Sequence, residues 1–426
     1  MANVNDYLEW RGDLSLGADP FNDVDNIILS QLSYTDFDGI VKDRAEEEDL
    51  RLGAISDIYF SMHTDQEIRS RVSFTRDAPF LMRRMASSMR FKNMRVTNYV
   101  NLIKQNATVQ FSAVTFHLSD GSIYVAYRGT DTTIVGWKED FCLSYSAETA
   151  GQKSAVEYLN MIGKAWPDVR KIRVGGHSKG GNFAVYAAAC CDPEVKRRII
   201  SVYSNDAPGF LESVVNSTAY GEIRDRIRGI IPEASVFGTM FGHGFRPLIV
   251  KSSASNMFLQ HDLMSWKVIG NHFEKEEQRN AGSLMFEKTF RNWLADISPE
   301  AREEFVQSVF SIFESTGALT FPEIAEQAVQ NLGRIRDAVR SLPGEQQSSA
   351  LDIVKRFFLT QKSVRLEELI RLLRKEQKKV EQQKRELTAE EAEMKEETNE
   401  EMQEKAEIEK ETKEETEEKI KLTETD

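Results

Sequence analysis

The apolar and polar positions of this chain change their rhythm near residue 105. Before it, Val24, Ile27, Ile28, Leu32 and Tyr34 form an apolar stripe at helical spacing, while Arg69 to Met94 carries methionine and arginine irregularly. Residues 1–105 therefore read as mainly helical. From Val109 to Leu118 apolar residues alternate with others, Ser119-Asp120-Gly121-Ser122 supplies a turn, and Ile123 to Tyr127 is a second β-rich run, which together make a hairpin pattern. Gln152 to Trp166 has Ala155, Tyr158, Leu159 and Ile162 at helical spacing, and Ile172 to Val174 is a short strand ending in Gly175-Gly176. Asn182 to Cys191 is small and apolar enough for a buried helix, and Ile199 to Tyr203 is again a strand. Alternating strands and helices call for a mostly parallel sheet with helices on both faces, an α/β fold. Ile227 to Ile231 and Leu248 to Lys251 would extend that sheet.

After Asn271 the pattern turns helical, over Ser283 to Asp296, Pro299 to Ser315, Phe321 to Leu342 and Ser348 to Leu373. The expected organisation is a catalytic-sized domain over 1–275, with a mainly helical part at 1–105 and a sheet core at 106–275. A helical region at 276–373 and a Glu/Lys-rich tail at 374–426 follow. The tail is nearly free of aromatic residues and cannot bury enough surface to pack as a core, so a solvated helix fading into disorder is expected there.

The length of 426 residues and a hydrophobic fraction of 40% suit a folded domain of enzyme size with an appendage. The formal charge of −13 points to no acidic partner-binding surface, because Thr388 to Asp426 alone holds 17 acidic and 6 basic residues. The nearly neutral remainder gives no sign of nucleic-acid binding. The N-terminus mixes Asp6, Glu9, Arg11, Asp13 and Asp19 among its apolar residues, which excludes a signal-peptide core, and nowhere do about 18 apolar residues run together. Cys142, Cys190 and Cys191 are too few for a disulfide framework, so reduced thiols and a cytoplasmic location are expected.

One segment carries chemistry. Gly176-His177-Ser178-Lys179-Gly180 is a G-x-S-x-G pentapeptide between a strand and a small-residue helix, where a sharp turn exposes a serine oxygen at the end of a sheet. The two glycines leave room where any Cβ would meet the neighbouring strand and helix, and the helix N-terminus near Lys179 favours negative charge. A nucleophilic Ser178 needs a histidine further along the chain as base. His261 is the first choice among His243, His261 and His272, because it lies in a loop after the Leu248 to Val250 strand; His177 would point away from its neighbour. The acid that orients the base is Asp206, directly after the Ile199 to Tyr203 strand, with Asp262 and Glu233 as alternatives. An oxyanion hole needs the Lys179 amide and one from an upstream loop, and Thr130 in Tyr127-Arg128-Gly129-Thr130-Asp131 occupies the right place. Arg128 and Asp140 are expected to pair beneath that loop.

These residues resemble a known family. Ala126-Tyr127-Arg128-Gly129-Thr130 with Trp137 and Asp140, and the Gly176 to Gly181 elbow, resemble the class 3 (fungal-type) lipases, a resemblance that implies Thr130 in the oxyanion hole and Ser178 as nucleophile. A closer similarity, from Asp6-Tyr7-Leu8-Glu9-Trp10-Arg11-Gly12-Asp13-Leu14 through Gln260-His261-Asp262-Leu263-Met264-Ser265-Trp266, is to the Mbeg-like family of bacterial α/β-hydrolase proteins. It implies an α/β-hydrolase fold. The chain departs from the class 3 pattern where the acid would precede Pro232, since Gly229 stands there, and Asp206 instead resembles the acid of pancreatic-type lipases.

The function expected is that of a serine hydrolase cleaving a small-molecule or lipid ester, or a thioester, through an acyl-enzyme. The chain shows no metal-ligand spacing and no P-loop or dinucleotide fingerprint, so no cofactor is expected. The alternative is a catalytically inactive hydrolase fold serving as a binding scaffold. Val364 to Leu373, with Leu366, Leu369, Ile370 and Leu372 among Arg365 and Arg371, would then dock on a protein or a membrane surface.

Overall fold

The computed structural model describes residues 2–43, 50–71, 73, 75–320, 323–324, 334 and 337–338, with only the backbone of Trp293. The segment 364–373 and the tail lie outside the described residues, as do most of 321–342 and all of 348–373. The chain divides into two units, Met1–Phe310 with Ala318–Glu323, and Ser311–Gly317 with Ile324–Asp426. The sheet and every candidate site residue belong to the first. In the second, Arg334 Nη1 donates to Thr316 O at 2.6 Å.

The first unit begins with helices α1 (Val4–Arg11), α2 (Asp23–Leu32), α3 (Leu52–Met62), α4 (Asp65–Ser70) and α5 (Ala78–Ser87). Asn22 starts α2 by accepting the amides of Val24 and Asp25, and Asp25 answers to the Asn22 amide, a capping box. The sheet has eight strands in sequence order, β1 (Leu50–Arg51), β2 (Arg95–Lys104), β3 (Val109–His117), β4 (Ile123–Tyr127), β5 (Ile172–His177), β6 (Ile199–Asn205), β7 (Ile227–Pro232) and β8 (Leu248–Val250). β1 to β4 pair antiparallel and β4 to β8 parallel. Between them run α6 (Ile134–Cys142), α7 (Ala150–Ala165) and α8 (Lys179–Cys190).

The 1–105 segment is not helical throughout, since β2 occupies Arg95–Lys104. Its alternation is interrupted by a bulge between Thr97 and Val100, where Asn98 takes φ 56°. A bulge moves every later side chain to the other face, which hides a strand from a period-two reading.

Both faces of the sheet are covered, so the central strands are buried along their length. On β4, Tyr124 and Ala126 join the core that includes Ile27 and Ile28 of α2. Ile123, Val125 and Tyr127 join the opposite core with Leu159 of α7 and Phe183 of α8. Helices Ala281–Asp296 and Pro299–Glu314 follow the sheet, and Ser283 Oγ of the former donates to Ser235 O at 2.6 Å. No helix among the described residues is long and apolar enough to cross a membrane.

Candidate active site

β5 and β6 run in parallel register up to the pair His177 and Asn205, so the residues just beyond them, Ser178 and Asp206, emerge at the same level of the carboxyl edge. Both turn sharply. Ser178 has φ 55° and ψ −133°, and Asp206 has φ 44°. Positive φ on a residue with a Cβ costs on the order of 1–3 kcal/mol and persists only where the surroundings enforce it.

The surroundings here are close backbone approaches. A Cβ on Gly176 would lie 2.4 Å from the Gly180 carbonyl, and one on Gly180 would lie 2.1 Å from Tyr127 O. The elbow is thus threaded against β4 with no side chain between. The Ser178 amide donates to Asn205 O at 2.9 Å, and Ser178 O accepts the Gly181 amide at 2.9 Å. Lys179 opens α8, so its own amide has no acceptor within the helix. Ser178 is partly exposed.

Gly129 brings the upstream loop beside the serine. A Cβ there would lie 3.1 Å from Ser178 Cβ and 2.5 Å from His177 O. The next residue, Thr130, donates its hydroxyl to Asp140 Oδ2 at 2.5 Å. Burial lifts the Asp140 carboxyl to about 6, against the lowering influence of Lys179 and the Thr130 hydroxyl. The expected Arg128–Asp140 pair does not form. Arg128 Nη2 donates instead to Asn101 Oδ1 at 3.0 Å and to Asp131 Oδ2 at 3.3 Å, while Asp140 Oδ2 accepts the Thr130 hydroxyl.

The Lys179 side chain turns into the protein and donates to Glu139 Oε2 at 3.1 Å and to Gly136 O at 3.3 Å, with both side chains at most 1% exposed. Glu139 also accepts the amides of Gly151 (2.6 Å) and Gln110 (3.1 Å). One carboxylate therefore joins β3, α6, α7 and α8 beneath the Gly129-Thr130 loop.

His261 and Asp206 come together, with Nδ1 and Oδ2 2.6 Å apart. The other carboxylate oxygen of Asp206, which is 1% exposed, accepts Ser235 Oγ at 2.5 Å and the Gly238 amide at 3.1 Å. The imidazole of His261 lies between two rings, 4.3 Å from that of His177 and 4.2 Å from that of Phe237, centroid to centroid. Its loop is pinned through Gln260, which accepts the Ala234 amide (2.9 Å), donates to Ala254 O (2.8 Å), and accepts the Trp266 indole N–H on its carbonyl (2.8 Å).

The other candidates lie elsewhere. His243 packs its ring edge-on against Phe245 at 5.3 Å, and burial lowers it to about 4. His272 is exposed in a two-stranded ribbon with Val268–Ile269. Asp262 accepts the Met264 amide at 3.0 Å, a turn-forming role, and burial raises it to about 6. The Glu233 amide donates to Val250 O. A Cβ on Gly229 would lie 2.1 Å from the Phe245 ring, so an acid there would require that ring to move. Among the described residues no cluster of three or more His, Cys, Asp or Glu could hold a metal ion.

Three contributors carried no signal in the sequence. Glu139, Ser235 and Phe237 have no motif, and only the tertiary contacts reveal them.

A mostly parallel sheet with helices on both faces, and a strand-turn-helix elbow that carries Ser178 level with Asp206 at its carboxyl edge, is an α/β-hydrolase fold. The chain belongs to the Mbeg1-like family, whose model matches residues 85–311, more than half of it. Among solved structures it is similar to the M37 lipase, with 13% identity, 59% of this chain and 84% of that chain covered, and a TM-score of 0.34. It is also similar to a triacylglycerol lipase from Penicillium expansum, with 11% identity, 45% and 77% covered, and a TM-score of 0.27. No curated protein matches the chain.

Proposed function

We propose that the protein is a serine hydrolase that cleaves a carboxylic ester or thioester. Ser178 Oγ attacks the carbonyl carbon while His261 Nε2 takes its proton, and Asp206 holds the Nδ1 proton and stabilises the imidazolium. The developing oxyanion is received by the amides of Thr130 and Lys179. His261 then gives the proton to the departing alcohol or thiol. Water, deprotonated by the same nitrogen, cleaves the acyl-enzyme and restores the serine.

The observation that carries this reading is the 2.6 Å bond between His261 and Asp206, residues 55 apart in sequence, beside a serine held at φ 55°. A structural turn would need neither the strain nor the buried acid. Incubation with a fluorophosphonate probe is expected to modify Ser178, located by peptide mass spectrometry, and the adduct is expected to vanish in Ser178→Ala. A folded wild-type chain that stays unmodified would sink the proposal and favour a scaffold.

A further inference from the structure

α2 presents polar side chains to the underside of the elbow. Asn26 and Ser30 lie one helical turn apart, and Tyr34, four residues further on in the turn after the helix, continues the line. Asn26 and Ser30 are 0% exposed. Asn26 Nδ2 donates to Asn205 Oδ1 at 2.9 Å and Asn205 Nδ2 donates back to Asn26 Oδ1 at 3.1 Å. Asn205 Nδ2 also shares its protons with Ser30 Oγ and Gly176 O, each at 3.0 Å, and Asn205 O accepts the Ser178 amide. Asn205 thus grips the elbow on both sides of its turn, at 176 and at 178, and α2 grips Asn205.

Tyr34 makes the second link. Its hydroxyl and His177 Nδ1 are hydrogen-bonded at 3.0 Å, and the ring of His177, 3% exposed, faces His261. Burial keeps the phenol protonated and the imidazole of His177 uncharged. A bond between two neutral buried groups restrains the ring plane and biases the tautomer. The Tyr34 oxygen also lies 2.2 Å from where a Cβ of Gly129 would be, against the oxyanion loop.

An apolar helix face would cover the sheet without any polar groups to match, so a buried line in which Asn26, Ser30 and Tyr34 each bond to the elbow or to Asn205 has a different use. We propose that it positions the reacting groups. Asn26 and Ser30 hold the elbow backbone through Asn205, while Tyr34 sets the plane of His177, which together with Phe237 keeps the imidazole of His261 between two rings. None of the three α2-side residues touches the reacting atoms; they are positioning residues. This rests on the serine-hydrolase reading, and it extends the site to a segment that precedes residues 85–311 of the family match.

Tyr34→Phe removes one oxygen and keeps the ring. With the full chain and p-nitrophenyl butyrate as probe ester, kcat is expected to fall about tenfold with KM within about twofold, and fluorophosphonate labelling of Ser178 to slow in proportion. Histidine ¹⁵N NMR is expected to show His177 shifting from one tautomer towards a mixture. A variant that melts lower but keeps kcat per folded molecule, or an unchanged His177 tautomer, overturns the proposal. Should Tyr34→Phe fail to fold, Ser30→Ala carries the same kinetic expectation. A wild-type chain inert to both probes defeats the serine-hydrolase reading and this proposal together, whereas a reactive wild type with an equally reactive Tyr34→Phe defeats this proposal alone.

Discussion

Asp206→Asn is the substitution whose effect the geometry specifies most closely. The asparagine fits the same volume, and its Oδ1 still accepts from Ser235 Oγ and the Gly238 amide. Its nitrogen then stands where Oδ2 met His261 Nδ1 at 2.6 Å. Two N–H donors cannot bond to each other, so the imidazole is driven to the tautomer that protonates Nε2, the nitrogen that must take the proton of Ser178. The reverse rotamer turns the amide protons on the Gly238 amide and is no better. In the Ser-His-Asp template this exchange costs about 10,000-fold in kcat, or about 5 kcal/mol at 1.36 kcal/mol per decade. A loss of about 1,000- to 10,000-fold is expected here. Stability is expected to change by only about 1 kcal/mol, since most of the hydrogen bonds survive. Initial rates of p-nitrophenyl butyrate hydrolysis, with thermal melts alongside, measure both. A kcat within about tenfold of wild type, in a variant that folds, would refute Asp206 as the acid and return Asp262 to consideration.

The remaining predictions concern the groups beneath the Gly129-Thr130 loop. Lys179→Met strands the buried Glu139 carboxylate and is expected to cost about 3–5 kcal/mol, read as a lowered melting temperature. Glu139→Gln added to it removes the stranded charge and is expected to restore part of the loss, because its amide nitrogen replaces one of the two oxygens that accept the Gly151 and Gln110 amides; an undiminished loss in the double variant contradicts the pairing. Asp140 is lifted from 3.8 to about 6 in the fold. Between those values the folded state holds a proton that the unfolded chain has released, so this group's stabilising contribution declines as pH rises from about 4 to 6 and is gone above that. Asp140→Asn keeps an oxygen for Thr130 and is expected to gain on the order of 2 kcal/mol relative to wild type at pH 7 but little at pH 4. Chemical denaturation at both pH values tests this, and an equal difference at the two would count against it.

The nucleophile elbow was legible because five consecutive residues hold its geometry. Gly176, Ser178 and Gly180 sit between a β run and a small-residue helix, and the close approaches to Tyr127 explain why no larger residue stands at either glycine. The hairpin of β3 and β4 was legible for a similar reason, as period-two alternation and a turn are local properties. β2 was not, because the bulge at Asn98 breaks the alternation on which the reading depends.

The partners of the serine belong to another category. Asp206 and Asp262 are both aspartates near the right strands, and only the parallel register of β5 and β6 puts one of them level with Ser178. Arg128 had two aspartates within reach along the chain, and only the folded structure shows that it pairs with Asp131 while Asp140 takes the Thr130 hydroxyl. The link from Asn26 to Asn205 spans 179 residues and has no trace in either neighbourhood.

The amino-acid sequence by itself determined the order of strands and helices from Val109 to Val250 and the position of Ser178, because periodicity, turn residues and steric room act over a few residues. The tertiary structure alone decided which acid meets His261, which carboxylate holds Lys179, and that α2 supports the elbow. Those outcomes depend on sheet register and on competition among buried donors and acceptors, and neither exists until distant segments have packed together.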